Sequence, residues 1–261
     1  MKVHYEELPE INRYIKECGE HSGHSLDEYE ADFNRYLAYI RQGQKAIDNS
    51  TSILEIGIGT GWFPILCKMR GLKCKGIEIS PQLVEFARQW GSSVGVEPDV
   101  ELGNIEEFMG TESTYDAIIA ANVFEHVEDW KSGLRQIYRA LKPNGVLYFE
   151  STNKFGFSRG EYGFPLYGWF PDQVRYKMRI VFDDPDIMKL GIDFNQFRHS
   201  QLRREFERIG FSKIFDRIEM SHEDRVSTGF RRGVVHISKR IPLLKAAALT
   251  FCDATRFLCI K

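Results

Sequence analysis

No run of about 18 consecutive apolar residues occurs in the 261-residue chain, so no segment is predicted to cross a membrane as a helix. The opening Met1-Lys2-Val3-His4-Tyr5-Glu6-Glu7 also lacks the apolar core of a secretory signal, and a cytoplasmic protein is expected. Cysteine is sparse and poorly spaced for cross-linking. Cys18, Cys67, Cys74, Cys252 and Cys259 are odd in number and contain no C-x-x-C pair, which speaks against a disulfide framework or a thiolate zinc site. Packing is their expected role, since Cys67 and Cys259 sit in apolar segments. An excess of one charge is missing too: a formal net charge of -2 provides no basic field to recruit a phosphate backbone, so nucleic acid is not an expected partner. Internal repeats and low-complexity tracts are absent, which leaves an ordinary globular chain.

What is present is a change of rhythm along the chain. Tyr29, Phe33, Tyr36, Leu37 and Ile40 recur at helical spacing and predict an amphipathic helix packed on the core, with a share in closing the site as the alternative. Beyond residue 50 the pattern alternates. Strands are predicted over 52–56, 73–79, 100–102, 115–120 and 146–151. Helices are predicted over 60–70, 81–90 and 129–141, the second with Pro81 in its first turn and Ser80 as its cap. Lys142-Pro143-Asn144-Gly145 reads as a turn into the last of those strands. Strands alternating with helices predict an α/β fold with a parallel, doubly wound sheet.

The loop after the first strand carries the chemistry. Leu54-Glu55-Ile56-Gly57-Ile58-Gly59-Thr60-Gly61-Trp62 places glycines where a ligand must approach the backbone at a helix N-terminus. A dinucleotide fingerprint needs G-x-G-x-x-G, and the sixth position counted from Gly57 is the bulky Trp62. Glu55, two residues before the first glycine, would repel a pyrophosphate and suits a cationic cofactor such as S-adenosylmethionine, with its sulfonium and ammonium. Glu78, about 20 residues beyond the loop at a strand end, is placed to grip ribose hydroxyls, a feature shared by dinucleotide sites. An NAD(P)-dependent oxidoreductase and a cofactor-binding protein without catalysis stand as the alternatives.

Together 54–61, 76–80, Gly103-Asn104-Ile105-Glu106, 115–127 and 141–149 resemble the class I S-adenosylmethionine-dependent methyltransferases over roughly the middle 100 residues. Asn122-Val123-Phe124-Glu125-His126-Val127 and Leu141-Lys142-Pro143-Asn144-Gly145 are loosely similar to small-molecule enzymes of the ubiquinone-biosynthesis O-methyltransferase kind. The resemblance implies a Rossmann-like sheet of seven strands, the last antiparallel, with 211–218 and 257–261 as the final pair. It implies one methyltransferase domain: a helical N-terminal cap over 1–49, a cofactor-binding core over 50–153, a substrate-lid insert over 154–198, and C-terminal helices with the last two strands over 199–261. It also implies adenine contacts from Asn104, where many relatives carry aspartate, and from Ile105. The candidate cofactor set is therefore Glu55, Gly57, Gly59, Gly61, Glu78, Ile79, Asn104, Ile105 and Asn122.

Methyl transfer from a sulfonium asks mainly for alignment and exclusion of water. For a hydroxyl acceptor a general base helps. His126 beside Glu125 is the first candidate and His199, opening a predicted helix over 199–209, the second, with scaffolding as the plainer reading of both. Some relatives hold a divalent metal with Glu-x-x-Glu-His; here the first carboxylate is replaced by Asn122, and no metal site is expected. The amino-directed Asn-Pro-Pro-Tyr pattern is also absent. A small-molecule acceptor is expected instead: aromatic, isoprenoid, or a lipid-linked or glycan compound.

The insert interleaves Phe155, Phe157, Tyr162, Phe164, Tyr167, Trp169 and Phe170 with glycines and prolines, and reads equally as an aromatic lid or as a cover for one sheet edge. Arg159, Arg175, Lys177 and Arg179 are either anion contacts or solvated. From Arg225 to Lys261 eight Lys or Arg face one acid, Asp253, beside Ile241-Pro242-Leu243-Leu244. That segment reads first as a packing helix leading into the last strand, and alternatively as a peripheral contact with an anionic bilayer.

Overall fold

Five parallel strands dominate the architecture: β1 (Ser52–Ile56), β2 (Lys73–Glu78), β3 (Asp99–Leu102), β4 (Tyr115–Ala121) and β5 (Leu141–Thr152). Two more, β6 (Lys213–Asp216) and β7 (Ala254–Ile260), complete a seven-stranded sheet of order β3-β2-β1-β4-β5-β7-β6, in which β7 runs antiparallel to both neighbours. This computed structural model describes residues 26–43, 46–107, 112–157, 166–182, 195–221 and 229–261. Cys18 and Arg225, and the insert residues Arg159, Tyr162 and Phe164, lie outside them.

Alternation along the strands builds the two layers. Leu54, Ile56, Ile118, Ala120, Leu147, Phe149, Phe257 and Cys259 face α4 (Trp130–Ala140) and α6 (His199–Ile209), which contribute Leu134, Ile137, Leu202 and Phe206. The intervening Ile53, Ala117, Ile119, Val146, Tyr148 and Leu258 face the opposite way. There they meet Phe33, Tyr36, Leu37 and Ile40 of α1 (Glu30–Gly43) and Phe63, Leu66 and Cys67 of α2 (Trp62–Met69). Period-2 strands packed by amphipathic helices on both faces produce the doubly wound architecture expected from the rhythm of the sequence. The order reverses between β1 and β4, so the crevice of a doubly wound sheet opens at the C-terminal end of β1.

Three expectations about elements need correction. The strand expected over 211–218 is only β6, because Asp216 accepts from the backbone N–H groups of Ile218 and Glu219 and Glu219 reaches back to Asp216 N–H. That capping box starts α7 (Arg217–Met220). The last strand begins at Ala254, three residues earlier than expected. Residues 142–145 form the expected turn inside β5, since Leu141 pairs with Tyr115 and pairing resumes with Val146 opposite Ala117. The insert also contains a helix, α5 (Asp172–Phe182), and α8 (Gly229–Arg240) and α9 (Pro242–Phe251) precede β7.

Candidate functional site

The glycine loop leaves β1 at the switch point. Gly57, Gly59 and Gly61 have φ of 68°, 54° and 82°, the left-handed region that favours glycine, while Ile58 and Thr60 between them are buried. A Cβ at Gly57 would come within 2.5 Å of Val123 Cγ2, and one at Gly61 would collide with Ala87 of α3 (Pro81–Ser93). The alternation of small and apolar residues thus turns the chain sharply into α2 and leaves its backbone bare toward the crevice. Trp62, where a dinucleotide fold wants glycine, stacks on Tyr29 with centroids 5.0 Å apart and lies 5.7 Å from Tyr36. The first turn of α2 is filled by that indole, which removes the close packing a pyrophosphate loop requires.

Glu78, ending β2, ties the site together. Its Oε1 accepts from Ile79 N–H (3.0 Å) and Ser80 N–H (3.1 Å), and its Oε2 accepts from Gly59 N–H (3.1 Å). Burial pushes its carboxyl up, against the three N–H groups and the nearby His126, which pull it down. Of about four acceptor positions on a carboxylate three are engaged, so Oε2 retains room for one further donor such as a ribose hydroxyl. Ile79 presents an exposed apolar side chain beside it.

Glu55 carries an unsatisfied acceptor. It is 5% exposed, and among the described residues its Oε2 has no hydrogen-bond partner. Burial, then the neighbouring Glu78, push its carboxyl well above the ordinary value of 4.5. A buried acceptor left open beside a second acid fits a cationic ligand group and disfavours a pyrophosphate. S-adenosylmethionine meets that requirement with its ammonium and sulfonium.

The remaining expected contacts divide. Asn104 is half-buried and its Oδ1 accepts from Glu106 N–H (2.9 Å), so the side chain folds its own loop. The Ile105 side chain is buried in the core near Gly133 and Phe124. Gly103 N–H donates to Glu78 O (2.8 Å), so this loop adjoins the ribose acid. Asn122 is exposed at the end of β4 with φ of 54° and its N–H bonds Glu150 O.

The two histidines part company. His126 ends a short helical turn over Phe124–His126, is half-buried, and acts electrostatically on Glu78, which places it at the crevice. Its neighbour Glu125 is buried and accepts from Ser151 Oγ (2.6 Å), so that carboxylate belongs to the scaffold. His199 is not brought to this mouth. It stacks on Phe257, centroids 4.6 Å apart, and burial lowers its pKa to about 4. Phe257 belongs to β7, separated from β1 by β4 and β5, roughly 14 Å at the usual strand spacing. The expectation of a catalytic role for His199 therefore gives way to packing of a neutral imidazole.

Three residues near the donor end escaped the sequence reading. Glu150 accepts from Tyr148 Oη (2.5 Å) and pairs with Arg256 (2.7 Å), all on the face covered by α1. Burial, then the charges of Glu150 and Glu55, hold the Tyr36 phenol up, so α1 brings a tyrosine within electrostatic reach of both acids. The alternation Val146, Tyr148, Glu150 put a carboxylate on that buried face, a signal available in the sequence.

The aromatic insert packs largely on its own base. Trp169 Nε1 donates to Gly156 O (3.2 Å), and Phe155, Phe157 and Phe251 of α9 surround its ring. Arg175 is buried, pairs with Asp172 and lies over the Tyr167 ring, so it is structural and not a solvated anion contact. Asn195, near the end of the insert, donates through Nδ2 to Phe124 O and Val127 O and clamps the His126 turn.

Comparison with known proteins agrees with this geometry. The family described as a methyltransferase domain matches residues 54–149. A ubiquinone biosynthesis O-methyltransferase of Xanthomonas oryzae is 28% identical over 103 residues, covering 39% of this chain and 43% of that protein. An uncharacterized methyltransferase of Bacillus subtilis is 35% identical over 104 residues, covering 39% of this chain and 56% of its own length. The chain thus spans about half the length of these relatives. A solved S-adenosylmethionine-dependent methyltransferase from Archaeoglobus fulgidus shares the fold at 16% identity, with TM-score 0.54, over 91% of this chain and 95% of that one. The crevice, its open acid and these likenesses converge: residues 54–149 are a methyltransferase domain of the class I family, whose cofactor is S-adenosylmethionine.

Proposed function

We propose that the protein transfers the methyl group of S-adenosylmethionine to a hydroxyl of a small-molecule acceptor. The observation that carries the reading is the open Glu55 carboxylate beside a loop of left-handed glycines. The O-methyltransferase likeness of the core favours oxygen as the accepting atom. When bound, the cofactor supplies a methyl on a sulfonium, already a good leaving group. Glu55 and the backbone of Gly57 to Gly61 hold its positively charged end, Glu78 accepts from its ribose, and the loop at Asn104 and Ile105 borders its base. His126 accepts the acceptor's hydroxyl proton through an imidazole nitrogen, while Asn195 keeps its turn in place. Buried Tyr36 and Glu150, with half-buried Arg256, restrict water on the α1 side, and the base of the insert borders the acceptor beyond β5.

The test is incubation of the full chain with methyl-labelled S-adenosylmethionine and cell extract, followed by identification of the labelled product. The expected product is a methyl ether. Label on nitrogen or carbon would displace the O-methyl reading, and cofactor binding with no labelled product would favour a protein that binds without catalysis.

A further inference from the structure

An ordinary surface helix buries its apolar stripe and turns its charges to water. Helix α9 does the reverse. Its sequence Pro242-Leu-Leu-Lys-Ala-Ala-Ala-Leu-Thr-Phe251 contains one charged residue, Lys245, and that side chain turns inward to Asp216 (2.6 Å) and Glu219 (2.7 Å). Leu249, one turn along the same face, is the helix's buried apolar residue. The outward face carries Leu243, Leu244, Ala246, Ala247 and Phe251, with Leu243 82% and Leu244 46% exposed.

The apolar surface continues at both ends. Toward α8, Ile237 and Ile241 are exposed. Toward the insert, Phe251 stacks on Phe157 (5.7 Å) and Trp169 (5.9 Å), and Phe157 is 60% exposed. The stripe along α9 alone is about 15 Å long by helical rise. Single exposed hydrophobics are ordinary, but a contiguous aromatic and aliphatic ridge marks an interaction surface.

Charge selects the occupant. From residue 229 to 251 the sequence has five Lys or Arg and no acid. Lys239 and Arg240 are exposed at the corner where α8 meets α9, beside Ile241 and Leu243. The acids behind α9, Asp216 and Glu219, are paired with Lys245. An apolar ridge with a tryptophan at its margin and cations at its corner suits a layer that is apolar inside and anionic at its surface. Among the described residues no helix is long and apolar enough to cross a membrane, so the contact is peripheral. We infer that α9, the end of α8 and the Phe157 and Trp169 rings form the surface by which the protein lies on an anionic lipid bilayer. The ridge adjoins the end of β5, because Asn153 Nδ2, just past β5, donates to Leu249 O, Thr250 O and Cys252 O. A bilayer seated there would lie beside the mouth of the crevice. The inference stands independently of the proposed chemistry.

The test is co-sedimentation of the full chain with vesicles of phosphatidylcholine alone and of phosphatidylcholine mixed with phosphatidylglycerol. Binding to the anionic vesicles is expected to be at least tenfold tighter and to weaken as salt is raised. The double variant Leu243→Asp, Leu244→Asp should lose tenfold or more, and Lys239→Glu, Arg240→Glu should lose the preference for anionic lipid, both with wild-type thermal melting. Absence of binding by folded wild type, or unchanged binding by both variants, would overturn the inference. So would a solution dimer that the leucine variant splits in the absence of any vesicle binding, since the ridge would then join two copies of the chain.

Discussion

Replacement of Glu55 by Gln separates binding from stability. The native carboxyl is 5% exposed, its Oε2 lacks a partner among the described residues, and burial with Glu78 nearby raises its pKa. A ligand ammonium would convert this unsatisfied acceptor into a charge-assisted hydrogen bond, worth roughly 1.5–3 kcal/mol. At about 1.4 kcal/mol per tenfold, Glu55→Gln should weaken S-adenosylhomocysteine binding roughly 10- to 150-fold. Stability should move the other way. A carboxyl whose pKa is raised on folding favours the protonated form, so its ionisation destabilises the fold as pH climbs from 4.5 through the raised value. The ligand-free variant should therefore match wild type at pH near 4 and exceed it at pH 8. Calorimetric titration at pH 7 gives the affinities, and urea unfolding at the two pH values gives the stabilities. Equal affinities, or a variant less stable than wild type at pH 8, would refute the reasoning.

Other substitutions probe the neighbouring parts. Gly57→Ala combines a left-handed φ with a collision at Val123 and should destabilise by roughly 2–4 kcal/mol, whereas Gly95→Ala, with φ of 78° and open space around it, should lose only about 1 kcal/mol in the same urea assay. His126→Ala should slow methyl transfer in a single-turnover assay while S-adenosylhomocysteine affinity stays within a few-fold; wild-type rates would assign the residue to the scaffold. His199→Phe should leave transfer unchanged. Because the pKa of His199 falls to about 4 on folding, its contribution is present above 6.5 and lost as pH drops toward 4, so the variant should resist acid unfolding better than wild type.

The strands were readable where burial on both faces left near-continuous apolar runs, as in Ile53 to Ile56 and Ala117 to Ala120. The glycine loop was readable because its constraint is local: positive φ and close approach demand glycine whatever the surroundings. Boundaries failed where a side chain overrode the pattern. Phe211 to Ile218 looks like one apolar strand, yet Asp216 caps a helix within it. The site was legible as single residues and not as partnerships. That Glu78 holds Gly59, that Glu125 turns to Ser151 while its neighbour faces the crevice, and that His199 rests on Phe257 depend on tertiary placement across many residues. Periodicity also cannot distinguish α9 from a buried helix, because its inversion appears only when Lys245 meets Asp216.

The central claim, a crevice built for a cationic adenosyl cofactor, is tested most directly by titrating the full chain with S-adenosylhomocysteine and, separately, with NADH. One-to-one binding of the first and none of the second is expected. Binding of NADH without S-adenosylhomocysteine would contradict the account.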